Sequence, residues 1–238
     1  MSRGLWIEVT NPDSPHYKDA IKTALNTAYH TFETSHSFVK CYDVFKKELS
    51  DNNRGSKGNQ DDKLHCIDVA LLGFERNKDF HILDCWKAAE RLVSQTGFTH
   101  IGLANCTRQQ LTHILKHADK QPKYIQVEAS VHFPNASILA LARTANLIPI
   151  ASAVFGKFSP SLDPSAIMPI EEEVVKKIAD VHHKSAGQVL VKHALQRGLC
   201  PLIKSNSQTR IIAYSEVDDF ELTKEEMHVL NTALVKRR

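Results

Sequence analysis

The feature that most constrains this chain is an alternation. Short, nearly continuous apolar runs recur along it, separated by longer stretches with apolar residues at helical spacing. Seven runs read as strands: 4–7, 29–34, 65–72, 99–104, 124–128, 148–153 and 200–203. The stretches 17–28, 38–49, 83–96, 108–118, 136–146, 171–182 and 185–196 read as amphipathic helices, and 225–236 reads as another. Gly198 stands just past one of them, where a helix is commonly closed by a residue of positive φ. Strands apolar on both faces, alternating with helices, specify a parallel sheet with the helices outside it. Seven strands in succession favour a barrel over an open sheet. No GxGxxG follows any strand, so the dinucleotide fingerprint of the doubly wound fold is missing.

One segment breaks the rhythm. Residues 50–63, SDNNRGSKGNQDDK, contain no apolar side chain and read as a polar loop where a strand and helix are due. The expected fold class is therefore α/β, an incomplete (β/α)8 TIM-type barrel missing its third βα unit. We expect one domain over 1–238, with loop 50–63 in place of the deleted unit. A barrel short of one strand leaves two unpaired edges, which this loop, a protein partner or a second copy of the chain would have to cover.

Composition narrows the function classes. Thirty basic residues against 27 acidic ones, well mixed, give a net charge of +3, which is not a nucleic-acid footprint. No stretch of 18 apolar residues is present, so no membrane-spanning helix is expected, and the first 18 residues lack the apolar run of a signal peptide. The five cysteines are odd in number, widely spaced and without CxxC. That pattern reads as reduced thiols in a cytoplasmic protein and offers no zinc site.

The second half carries ordered motifs: WKAAERLVSQTGFTHIGLANCTRQQL from Trp86, then KYIQVEASVHFPN, IPIASAVFG and AGQVLVKHALQRGLCPLIKSNSQTRI, ending in DDFELTKEEM. In the first half come YHTFETSHSF at 29–38 and IDVALLGF at 67–74. Together these resemble the aldo-keto reductase superfamily. The resemblance implies a (β/α)8-type fold, NADP(H) as cofactor and reduction of small carbonyl compounds. In the family a tyrosine protonates the carbonyl oxygen, a lysine paired with an aspartate tunes that tyrosine, and a histidine orients the substrate. Here Glu33 stands at the aspartate position, Phe38 at the tyrosine position and Gly73 at the histidine position, and the lysine belongs to the missing strand. No catalytic residue is therefore assigned. Loss of one acid–base group alone costs about 10²–10⁴ in rate.

The cofactor positions implied by the resemblance fare better. Asn105 and Gln126 match residues that hold the nicotinamide amide, whereas Ser152 replaces the stacking tyrosine. Lys204, Ser205 and Arg210 keep the family spacing for a 2′-phosphate, one point charge and one donor fork. Ala213-Tyr214 replace the family's Glu-Asn, with the Tyr214 ring as a candidate stacking face.

Three functional readings stay open. In the first, the protein binds NADP(H) with little or no reductase activity and acts as a regulatory or structural pseudoenzyme. In the second, it is an active NADPH-dependent aldehyde or ketone reductase with substituted acid–base groups, His36 beside Glu33 being the candidate. In the third, nucleotide binding is lost too and only protein interaction remains. Outside these sets, Asp68 opens a strand and reads as structural. His182-His183 and the i, i+4 pair His113/His117 have metal-ligand spacing, but no HExxH surrounds them and a solvated helix face is the simpler reading.

Overall fold

The structure is a computed structural model that describes residues 5–8, 19, 23, 29–33, 69–73, 82–95, 100–156 and 167–236. Helix 38–49, loop 50–63, His36, Phe38, Asp68, Cys41 and Cys66 lie outside these residues. Of the stretch 17–28, Asp19 and Thr23 are described, both helical, with the Thr23 hydroxyl donating to the Asp19 carbonyl at 2.7 Å.

The chain divides into two compact units, 1–66 with 202–221 and 67–201 with 222–238. The first holds β1 (Leu5–Glu8) and β2 (Tyr29–Glu33). Strand β1 pairs in parallel with β2, and also with residues Leu202–Lys204 of a later strand. The helix that follows, Gln208–Ser215, was not among those read from apolar periodicity. Its N-cap explains why it forms: the Ser207 hydroxyl accepts the Arg210 amide at 3.4 Å.

The second unit holds β3 (Val69–Gly73), β4 (His100–Ala104), β5 (Tyr124–Glu128) and β6 (Ile148–Ser152), each parallel to the next. Strand β7 (Cys200–Lys204) pairs here through Cys200 and Pro201 with Ile150 and Ala151. Between the strands run α1 (Ile82–Gln95), α2 (Arg108–His117), α3 (Ala136–Thr144), α4 (Glu173–Val181) and α5 (Ala186–Gln196). The helix after β7 in the first unit is α6, and α7 (Lys224–Thr232) returns to the second. All seven sequence-read strands are present, with ends displaced by up to four residues.

Local chemistry sets the helix starts. Thr107, Ser185 and Thr223 each open a helix with a capping box, closed by Gln110, Gln188 and Glu226 respectively. The expected helix 171–182 is broken, because Glu172 is extended (φ −62°, ψ 128°) between a 3-10 turn at Pro169–Glu171 and α4. Gly198 takes φ +77°, as its place after α5 required. Leu103, Ile125 and Ile150 of the strands and Trp86, Leu111, Ile114 and Leu190 of the helices are almost wholly buried. The Trp86 indole also donates to the Lys120 carbonyl at 3.0 Å. Among the described residues no helix is long and apolar enough to cross a membrane.

Candidate functional site

The parallel strands of the second unit end in a row. Register places Gly73 opposite Ala104, Ala104 opposite Gln126 and Gln126 opposite Ile150, with Glu128 opposite Ser152 one step further. In parallel α/β architectures the C-terminal strand ends are where loops build sites. Gly73, Asn105, Gln126 and Ser152 thus share one end of one sheet.

Asn105 follows β4 directly and takes φ +58°, a left-handed conformation that asparagine tolerates better than most residues. Its backbone amide donates to the Gln126 carbonyl at 2.9 Å. The turn aims the chain into Thr107, the N-cap of α2, and leaves the Asn105 side chain exposed. Gln126 and Glu128 are buried polar residues, and the Glu128 carbonyl accepts the Asn135 side-chain amide at 3.0 Å. Ser152 is half-buried, and its carbonyl takes the Ala129 amide at 3.0 Å. Next to it Ala153 adopts φ +53°, a conformation unfavourable to alanine, at the start of a tight turn closed by the Gly156 amide on the Ala153 carbonyl at 2.8 Å. Cys106 is buried, and burial pushes its thiol up to about 12, so it is a core side chain and not a nucleophile.

In the first unit a second row forms. Glu33 ends β2 opposite Glu8 of β1, and Glu8 stands opposite Lys204 of β7. Glu8 was not singled out from the sequence, although its place at the end of an apolar run was the available signal. Lys204 is exposed and Ser205 buried, the Ser205 hydroxyl accepting the Ser207 amide at 3.2 Å. Arg210 is exposed on the first turn of α6. Tyr214 corrects one expectation. The residue is only 7% exposed, which removes its ring as a free stacking face. Burial raises its phenol and the nearby Arg210 charge opposes that shift.

The donor chemistry fits a nicotinamide dinucleotide at the side-chain level. Asparagine and glutamine amides match a carboxamide's donor and acceptor, and a lysine with an arginine matches a phosphate. Among the described residues no buried side-chain nitrogen or oxygen lacks a hydrogen-bond partner, and no three metal-ligating side chains gather. His182 is no metal ligand here: its ring meets both Glu226 carboxylate oxygens at 3.0 Å.

Comparison with known proteins agrees with the architecture. The profile of the Aldo/keto reductase family matches residues 62–234. The NAD(P)H-dependent D-xylose reductase I,II of Candida tropicalis is 30% identical over 171 residues, covering 69% of this chain and 51% of the relative. The chain spans about half the length of the curated relatives it matches. Among solved structures, the aldose reductase of Schistosoma japonicum superposes with a TM-score of 0.80 at 24% identity, covering 99% of this chain and 89% of that one. A silkworm aldo-keto reductase complexed with NADPH gives 0.82 at 17% identity, covering 99% and 85%. At these identities the likeness shows the fold, which is α/β and of the (β/α)8-barrel type in incomplete form.

Proposed function

The chain belongs to the aldo/keto reductase family, and from that premise we propose that it is an NAD(P)H-binding oxidoreductase of small carbonyl compounds whose acid–base step is impaired. The observation that carries the proposal is the row of strand ends in the second unit, which sets Asn105, Gln126 and Ser152 at one edge of one sheet. Asn105 and Gln126 would hold a carboxamide, with Ser152 leaving the space of a stacking ring open. Lys204, Ser205 and Arg210 would hold a 2′-phosphate, Ser205 being preset by its bond to Ser207. When bound, the dinucleotide supplies hydride. The protein must then deliver a proton to the carbonyl oxygen, and here the family positions are altered. Phe38 has no proton to give, Gly73 has no side chain to orient the carbonyl, and Glu33 reaches further than an aspartate. Reduction would draw its proton from Glu33, His36 or water, at least about 10²–10⁴ more slowly than with the full set.

A second reading is favoured by those same substitutions. With every acid–base position changed, the protein would be a pseudoenzyme whose nucleotide binding serves regulation or assembly, through a partner or a second copy.

Titration with NADPH, NADP⁺ and NADH, followed by thermal shift and calorimetry, tests the binding half. Ligand at a hundredfold excess over Kd raises stability by about 2.7 kcal/mol. The NADPH shift should fall away in Lys204→Ala/Arg210→Ala, whereas NADH binding should change little. Absence of any shift with every dinucleotide refutes the proposal. Single-turnover oxidation of bound NADPH by aliphatic and aromatic aldehydes then separates the readings. Turnover abolished by Glu33→Gln or His36→Ala supports a substituted acid, and no oxidation supports the pseudoenzyme.

A further inference from the structure

Helix α2 carries two histidines that the site above does not use. Successive helix residues turn by about 100° and rise about 1.5 Å, so His113 and His117 stand one above the other on the same face. Both are exposed. Their ring centroids lie 4.7 Å apart with planes inclined at 46°. Together with Arg108, Gln109, Thr112 and Lys116 they line an open hollow on the helix surface.

We propose that His113 and His117 form a two-imidazole chelate for a late first-row divalent ion (copper(II) first, then nickel(II) or zinc(II)), with water completing the coordination. The geometry carries this. A metal–imidazole nitrogen bond of about 2.0–2.1 Å puts the ring centre about 3.2 Å from the metal. Two rings on one metal then have centroids about 4.5 Å apart in cis square or octahedral geometry, and about 5.2 Å apart in tetrahedral geometry. The observed 4.7 Å falls between these values, which is the ring separation that one shared ion requires. The other well-described histidine contacts are already committed: His132 to Glu172, His182 to Glu226 and His193 to Asn231.

The surroundings choose the ion. Calcium and magnesium require several oxygen ligands, and the hollow offers only the Gln109 amide and the Thr112 hydroxyl. Arg108 and Lys116 add two positive charges, which penalise any cation held only by electrostatics. An ion survives there only through strong bonds to nitrogen, and the stability order of such bonds peaks at copper(II).

The test uses the intact chain, stripped with chelator and titrated with copper(II), nickel(II) or zinc(II) chloride by calorimetry. The copper form is examined by electron paramagnetic resonance. One equivalent with a two-nitrogen imidazole signature is expected, unaffected by millimolar calcium or magnesium. His113→Ala and His117→Ala lie on an exposed helix face where alanine is the better helix former, so folding is preserved and circular dichroism verifies it. Each should lower copper affinity at least tenfold, and the double variant should lose little more. His228→Ala, on the exposed face of α7, should change nothing. A change below threefold in either single variant overturns the proposal, as does a two-nitrogen signature that persists in the double variant.

Discussion

The buried imidazole of His193 makes the stability of the second unit depend on pH in a window that can be computed. The ring is 2% exposed on α5, and it meets the Asn231 side-chain oxygen of α7 at 2.9 Å, so its Nε2 carries the proton and donates. Burial pushes its pKa from 6.5 down to about 4, the Asn231 bond opposing and the Arg197 charge assisting. The folded ring is therefore neutral where the unfolded ring already takes up a proton. Stability from this group is fully present above about pH 6.5 and drains away as pH falls toward 4. At its limit the loss is about 3 kcal/mol, and at pH 5 it is about 2 kcal/mol. Two carboxylates that could confuse the reading titrate lower. Burial pushes Glu172 and Glu226 up, but Lys236 and His132 on the one and His182 with Thr223 on the other outweigh it and hold both below the usual range. The variant is His193→Gln, which keeps a donor for Asn231 and cannot titrate. Urea unfolding at pH 7.5, 6.5, 5.5 and 5.0, read from buried Trp86 in a Trp6→Phe background, gives the slope. The parent should lose about 2 kcal/mol more than the variant between pH 7.5 and 5. Parallel slopes refute the assignment of a neutral buried histidine.

Two further positions give tests by the same unfolding assay. Gly156→Ala should cost about 2 kcal/mol or more, because the residue holds φ +91° and a Cβ would run into the Pro169 ring. Arg197→Met should cost about 1.5–3 kcal/mol by removing the charged donor to the Pro134 carbonyl at 2.7 Å, and an unchanged midpoint would show that bond to be idle. Burial beside Arg143 lowers the Arg197 guanidinium to about 10, so the bond keeps its charge throughout the neutral range and its loss should not vary between pH 6 and 8.

Strands were legible where burial on both faces leaves a short apolar run, as at 101–104. Helix α6 was not legible from periodicity. Its eight residues, QTRIIAYS, carry weak propensity, and it forms from a cap at Ser207 whose bond to the Arg210 amide is invisible in a periodicity scan. The break at Glu172 escaped for a related reason: a tertiary bond decides it. The Glu172 carboxylate accepts from the His132 ring at 2.7 Å and from Lys236 Nζ at 2.8 Å, partners 40 and 64 residues away. Tyr214 looked like a stacking face because sequence gives a residue's type and not its exposure.

The site residues fall into two groups, and the division changes what their presence means. Asn105 sits at φ +58° and ties β4 to β5 through its amide, so the fold alone gives reason to keep an asparagine there. Ser205 is buried and holds the turn into α6, so it too has a structural employment. Neither would disappear promptly from a chain that had stopped binding nucleotide. Lys204 and Arg210 are different. Both are exposed, where a phosphate can reach them. Exposed basic side chains contribute little to stability through surface ion pairs, so their substitution reads mainly on ligand binding. The weight of the nucleotide reading therefore rests on these two residues more than on the better-matched Asn105 and Gln126. If Lys204→Ala/Arg210→Ala leaves NADPH binding unchanged, the family likeness at the strand ends is a record of folding and not of cofactor use.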